Sequence, residues 1–287
     1  MNKNAIPSHT FSGVKGAVKK VVHHTYGARF IRKYLTSGFD SGFFAIGECN
    51  HYFFPAKFVT LDFGGADFTV RLDENLVLPF ADSSQEIAYA SHVLEHLQKP
   101  VLERVLGEIH RVLKPGCGLR IEVPDTEVLM RAYADRDEDV LSYFREGRRQ
   151  LIDKLGLEEK YLEDQLTVVG EMASYIDRTH NSGHIPVYVT STEYEAHADA
   201  GIEGINDLAQ SKMSNEQKES GGHNNALYFT KLKDALLLAG FSQVDQADYG
   251  RTTVPKLKLG RSIGRIWNRI PEKGHRRFYS LYVDALK

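Results

Sequence analysis

Short apolar runs that stop on small or acidic residues constrain this chain more than anything else in it. Phe43–Ile46 stops at Gly47, Phe58–Leu61 at Asp62, Phe68–Leu72 at Asp73, and Glu86–Ala90 at Ser91. Residues 99–113 then switch to helical periodicity through Val101, Leu102, Val105, Leu106, Ile109, Val112 and Leu113. Lys114-Pro115-Gly116 closes that helix, because Pro cannot continue it and Gly relieves the turn. Leu119–Val123 reads as a further strand. Apolar strands alternating with helices predict a parallel sheet covered on both faces. Ligands of such sheets sit outside the carboxyl ends of the strands, and those ends carry Gly47, Asp62, Asp73 and Ser91.

The remainder of the chain has a different texture. Residues 125–222 are charged and mostly helical, over Glu127–Tyr133, Val140–Leu155 and Glu158–Tyr175, then loop-like toward Ser220-Gly221-Gly222. They read as a long insertion or lid over the strand ends. Asn225–Phe241 returns to a helix that ends at Gly240, and Gln243–Ala247 and Tyr279–Ala285 alternate like strands that close the sheet as an antiparallel pair. Residues 12–36 place Val14, Val18, Val21, Val22, Phe30, Ile31 and Tyr34 at helical spacing with Lys15, Lys19, Lys20, Arg32 and Lys33 between them. This predicts a basic amphipathic extension packed across a sheet edge, with membrane association or an organelle-targeting role as the sharper readings. The expected plan is an extension over 1–40, a sheet domain over 41–124 and 223–287, and an insertion over 125–222.

Composition narrows the class. A chain of 287 residues, 42% hydrophobic and 26% charged, is neither disordered nor fibrous. No apolar run reaches the roughly 20 residues that cross a bilayer. The first 40 residues lack an apolar secretion core, and Cys49 and Cys117 cannot build a disulfide framework, so a cytoplasmic location is expected. The net charge of −2 conceals an asymmetry. Residues 1–40 carry seven Lys/Arg and one acid, and 251–287 carry ten and two, leaving 19 bases and 35 acids between them. Basic ends (+6 and +8) can dock on the acidic middle (−16), or make a peripheral contact with a membrane or other anionic surface. The acidic middle argues against nucleic acid as a partner.

The most specific stretches are LPFADSSQEIAYASHVLEHL, from Leu78, and RVLKPGCGLRIEVPD, ending at Asp125. They resemble class I methyltransferases that use S-adenosylmethionine, and within them a subgroup found with sugar and surface-polysaccharide enzymes. LLLAGFSQVDQADYG and SLYVDALK resemble that family's last helix and closing strands. The resemblance covers roughly 43–125 and 223–287. It implies an α/β, doubly wound, Rossmann-like sheet of seven mostly parallel strands with an antiparallel closing strand and a helical insertion. It also implies S-adenosylmethionine as cofactor and a small-molecule acceptor. By the same resemblance Asp62 accepts from both ribose hydroxyls, Asp73 stands near adenine or simply caps its turn, and Ser91 and His92 line the methionyl half. The first loop is Gly47, Glu48, Cys49 and Asn50. Gly47 and Asn50 match the subgroup, whereas Cys49 stands where a second Gly is expected and brings a Cβ and a sulfur toward the methionine tail.

Methyl transfer to a hydroxyl gains from a general base, and His is the usual choice near neutral pH. The candidates are His92, His96 and His223. Two rivals stay open: a degenerate member that acts as a binding scaffold, and a nucleotide or nucleotide-sugar enzyme, against which no Gly-x-Gly-x-x-Gly follows the first strand. His180 and His184 have the spacing of two metal ligands, with His197 beyond, but Asn-Ser-Gly breaks a helix there and no Cys or acid completes a recognisable set. No metal site is expected. Trp267 with Arg265, Arg269, Arg276 and Arg277 reads as a solvated basic face.

Overall fold

The computed structural model describes residues 42–47, 58–62, 66, 68–177, 179, 183–249, 251–254 and 278–287. The amphipathic extension, Glu48, Cys49, Asn50, His180 and the Trp267 region lie outside the described residues. The strands are β1 (Phe43–Ile46), β2 (Phe58–Asp62), β3 (Phe68–Thr69), β4 (Gln85–Ser91), β5 (Leu113–Pro124), β8 (Gln243–Ala247) and β9 (Ser280–Leu286). They form one seven-stranded sheet in the order β3-β2-β1-β4-β5-β9-β8. All neighbouring pairs from β3 to β5 are parallel, and β9 runs antiparallel to both β5 and β8. The expected doubly wound sheet with an antiparallel closing strand is the observed one.

The central strands form because they are apolar on both faces. Phe44, Ile46, Leu61, Ala88, Ala90, Leu119 and Ile121 are all buried in one core with Leu102, Val105, Leu106 and Ile109 of helix α1 (Lys99–Val112) and Leu232 and Leu236 of helix α8 (Phe229–Leu238). Cys117 is buried in that core too. Gly240, with φ of +104°, ends the last helical segment beside the ring of His110, where a side chain would collide.

Several boundaries differ from the expected ones. β3 stops at Thr69 rather than Leu72, because only Leu61 and Asp62 offer it a partner. β5 begins at Leu113, so Lys114-Pro115-Gly116 is a bulge within the strand, with the register against β4 broken between Gln85 and Ile87. The segment after β4 is a short 3-10 turn, Leu94–His96, and α1 starts only at Lys99 with Pro100 in its first turn. Asn225–Tyr228 is extended, and the helix starts at Phe229.

Between β5 and α8 come helices α2 (Thr126–Ala134), α3 (Glu138–Leu155), α4 (Leu166–Met172), α5 (Ser191–Ala198), α6 (Gly201–Ser211) and α7 (Asn215–Lys218). The 158–175 stretch is not one helix. It is a 3-10 turn over Glu159–Leu162, then α4, then β6 (Ser174–Ile176), which pairs with β7 (His184–Pro186) as a hairpin. The expected loop toward Gly222 holds α5, α6 and α7, the first and last started by capping boxes at Thr190 and Ser214. These elements have their own core of Leu129, Leu166, Val169, Met172, Tyr194 and Ile205. Asp125 caps α2 through Glu127 and Val128 N–H, fixing where the chain leaves β5.

Candidate active site

The site is set by register. Ile46 pairs with Leu61 on one side and Ala90 on the other, so the next residues, Gly47, Asp62 and Ser91, fall level at the carboxyl ends of β1, β2 and β4. Ser91 pairs with Glu122, and Glu122 with Tyr282, which extends the row across β5 and β9. The order of strands reverses between β1 and β4, the place where open α/β sheets bind ligands.

Gly47 holds φ of +92°, and a Cβ on it would overlap the Val93 side chain. A glycine is therefore required there, and bare backbone stands at the centre of the row. Its N–H donates to the Leu61 carbonyl at 3.1 Å. Asp62 is half-buried, and its backbone carbonyl accepts from Val70 N–H at 3.0 Å. Asp73 sits in the turn beyond β3, where Oδ1 accepts from Asn75 N–H at 2.9 Å and Oδ2 lies 3.3 Å from Arg71 Nε. The turn role expected for it is thus present.

His92 adopts φ of +50°, a conformation L residues rarely take, directly after β4. Its Nδ1 is 3.2 Å from Glu95 Oε1 and its Nε2 is 3.6 Å from Glu122 Oε1. Glu122 also accepts from Tyr89 Oη at 2.9 Å, Ser91 Oγ at 3.1 Å and Tyr282 Oη at 3.4 Å. Burial pushes the Glu122 carboxyl up, but the His92 imidazole and the two nearer hydroxyls outweigh it and hold the group below the ordinary carboxylate value. Glu95 is 1% exposed, and neither of its oxygens has a hydrogen-bond partner of good geometry. Burial raises its carboxyl, and the neighbouring His92 and His96 bring it back below its usual value.

The structure brings all three predicted histidines together. The rings of His96 and His223 have centroids 4.8 Å apart, and Glu95 lies between His92 and His96, 4.0 Å from His96 Nε2. His184 of β7 joins them, 5.3 Å from the His96 ring and 4.5 Å from His223. Burial, then the nearby His184 and His96, hold the His223 imidazole well below its ordinary value. His223 stands in a segment without regular secondary structure that joins the two cores. Its carbonyl accepts from Ser174 N–H at 3.1 Å, and the next N–H, of Asn224, donates to the Glu95 carbonyl at 2.8 Å.

Sequence reasoning does not place Glu122, and it does not bring Glu95 or His184 to the other histidines. Glu122 leaves a trace, as an acid between Ile121 and Val123 near the end of β5. The meeting of Glu95 and His184 with His96 and His223 leaves none, since it arises from chain crossings.

The family model for a methyltransferase domain matches residues 57–121, a stretch that contains Asp62, Asp73, Ser91, His92 and His96. It supports a domain of the kind that uses S-adenosylmethionine. No curated protein matches the sequence. Among solved structures the chain is similar to an S-adenosylmethionine dependent methyltransferase from Mesorhizobium loti, at 14% identity over 86% of this chain and 90% of that one, TM-score 0.36. It is also similar to one from Archaeoglobus fulgidus, at 12% identity over 94% and 99%, TM-score 0.37. The described residues fit such a cofactor at the row, where bare backbone at Gly47 flanks a carboxylate at Asp62. No helix of the described residues is long and apolar enough to cross a membrane.

Proposed function

We propose that the chain transfers the methyl group of S-adenosylmethionine to an oxygen or nitrogen of a small acceptor, a sugar or glycan precursor being the class its sequence resembles. The observation that carries this reading is the level row of Asp62, Gly47 and Ser91 at the reversal of strand order. The bound cofactor supplies an electrophilic methyl on a sulfonium. Asp62 accepts from the ribose hydroxyls, a pair of charge-assisted bonds. Gly47 lets the backbone approach, and the sequence resemblance assigns Glu48, Cys49 and Asn50 to the same cofactor loop. Asp73 stands on the adenine side. The carboxylates of Glu95 and Glu122 give the site negative potential suited to a cation. Catalysis then needs little beyond aligning the acceptor. The inserted unit over 125–222 forms the acceptor's lid, and His96, which is half-buried, is better exposed to an acceptor proton than His223, which is buried.

Calorimetric titration with S-adenosylmethionine and S-adenosylhomocysteine tests the reading on the full chain, beside Asp62→Ala and Cys49→Gly. Micromolar binding, about −8 kcal/mol, is expected. Asp62→Ala should weaken it by about 2 kcal/mol, the worth of hydrogen bonds to a charged acceptor. Binding by Cys49→Gly alone would locate a block in the first loop. Absence of binding by both chains would leave a fold serving as a scaffold.

A further inference from the structure

We propose that His96, His184 and His223 form a binding site for a divalent transition-metal ion, with zinc as the best fit. Among the described residues these three bring one ring nitrogen each within 4.8 Å of the others. They come from three separate places: the 3-10 turn after β4, the β7 strand of the inserted hairpin, and the irregular segment that joins the two cores.

Each ring has one particular nitrogen to offer. His96 Nδ1 is 3.2 Å from the Gly222 carbonyl, and His223 Nδ1 is 3.0 Å from the Gly170 carbonyl. A carbonyl oxygen only accepts, so in both rings Nδ1 carries the proton and Nε2 keeps its lone pair. His184 Nδ1 lies 3.3 Å from Ser174 Oγ, a hydroxyl that can accept in the same way. Tying Nδ1 to an oxygen is the outer-shell arrangement that orients metal-ligating histidines. Glu171 Oε2, 3.3 Å from His223 Nδ1, adds a carboxylate to that shell.

A second observation is independent of the rings. Glu95, 1% exposed and without a well-formed hydrogen bond at either oxygen, stands 4.0 Å from His96 Nε2. This buried carboxylate, with His92 Nδ1 3.2 Å away on its other side, adds negative potential that favours a divalent ion at the cluster. Three histidines leave one position of a tetrahedral zinc open, and imidazole suits zinc, copper, iron and nickel alike. Nitrogens on one zinc stand about 3.4 Å apart, given bonds of about 2.1 Å. Binding therefore draws the rings together by about 1 Å. The graded burial, from His223 inside to His184 exposed, gives the ion a route in.

The test does not depend on methyl transfer. The full chain is stripped with a chelator, titrated with zinc chloride by calorimetry, and analysed for metal content after dialysis. One zinc per chain is expected. His184→Ala should weaken binding at least tenfold, and cobalt should give a visible spectrum that this variant loses. His184 is exposed, so its loss should leave the fold intact; His96→Ala is the second variant. His197→Ala, on α5 and outside the cluster, should bind zinc like the parent. No saturable binding by the parent, or binding that survives both His184→Ala and His96→Ala, would overturn the site.

Discussion

Opposite edges of the same sheet treat buried carboxylates in opposite ways. At the amino edge, Glu108 of α1 accepts from Leu78 N–H at 2.8 Å and takes both Nε and Nη2 of Arg111, at 2.9 and 2.7 Å. Arg111 spends its remaining donors on the Leu78 and Phe80 carbonyls and on Asp82. The Leu-Pro-Phe segment is thereby tied to the helix by a closed network. At the carboxyl edge Glu95 has histidines near it and no well-formed bond, and His92 spans two carboxylates at 3.2 and 3.6 Å from a left-handed backbone. A closed network serves the fold. An open one keeps polar groups ready for something that arrives later.

The largest expected effect breaks the closed edge. Glu108→Ala leaves the Arg111 guanidinium and the Leu78 N–H without their buried partner, and should cost about 3–5 kcal/mol in chemical denaturation. A loss under about 1 kcal/mol would erase the contrast. Gly47→Ala comes next. Its left-handed backbone and the Val93 side chain both oppose a methyl group, so about 1–3 kcal/mol is expected from the melting of this variant. Glu95→Gln probes the open edge and should cost about 1 kcal/mol or less, since few bonds are lost; a loss matching Glu108→Ala would show that Glu95 is structural after all.

The smallest effect is read in pH. Burial raises the Glu108 carboxyl, but Arg111, the Leu78 N–H and Arg104 outweigh it, so the folded value lies below the ordinary 4.5. The unfolded chain then binds its proton first as pH falls, and stability that is complete above 4.5 declines below it. Glu108→Gln should flatten that part of the stability profile measured between pH 5 and about 3. An unchanged slope would assign the acid limb to other groups.

Local packing patterns are legible in the sequence, and polar partners brought together across the fold are not. The Leu-Pro-Phe turn, the periodic face of α1 and the strand ends at Gly47, Asp62 and Ser91 are local patterns, and the sheet follows from them. His92, His96 and His223 were singled out as types of residue near strand ends, and the fold does bring them together. Their partners were illegible. His184 reaches the cluster only because the 174–186 stretch is a hairpin rather than the end of a helix, and two three-residue strands carry too few side chains to show a period. The 3-10 turn that holds Glu95 looks, in sequence, like the first turn of α1.

The segment at His223–Asn224 also has a mechanical meaning. It is bonded to Ser174 of the inserted hairpin on one side and to the backbone of Glu95 on the other, while Asn224 Nδ2 holds the His96 carbonyl at 3.1 Å. It works as a tie rod between two bodies of different packing. Any tilt of the inserted helices would reach the turn after β4 as a pull on its main chain, and the two side chains that turn presents would move with it. The hairpin and the turn after β4 thus share a few hydrogen bonds through one short segment.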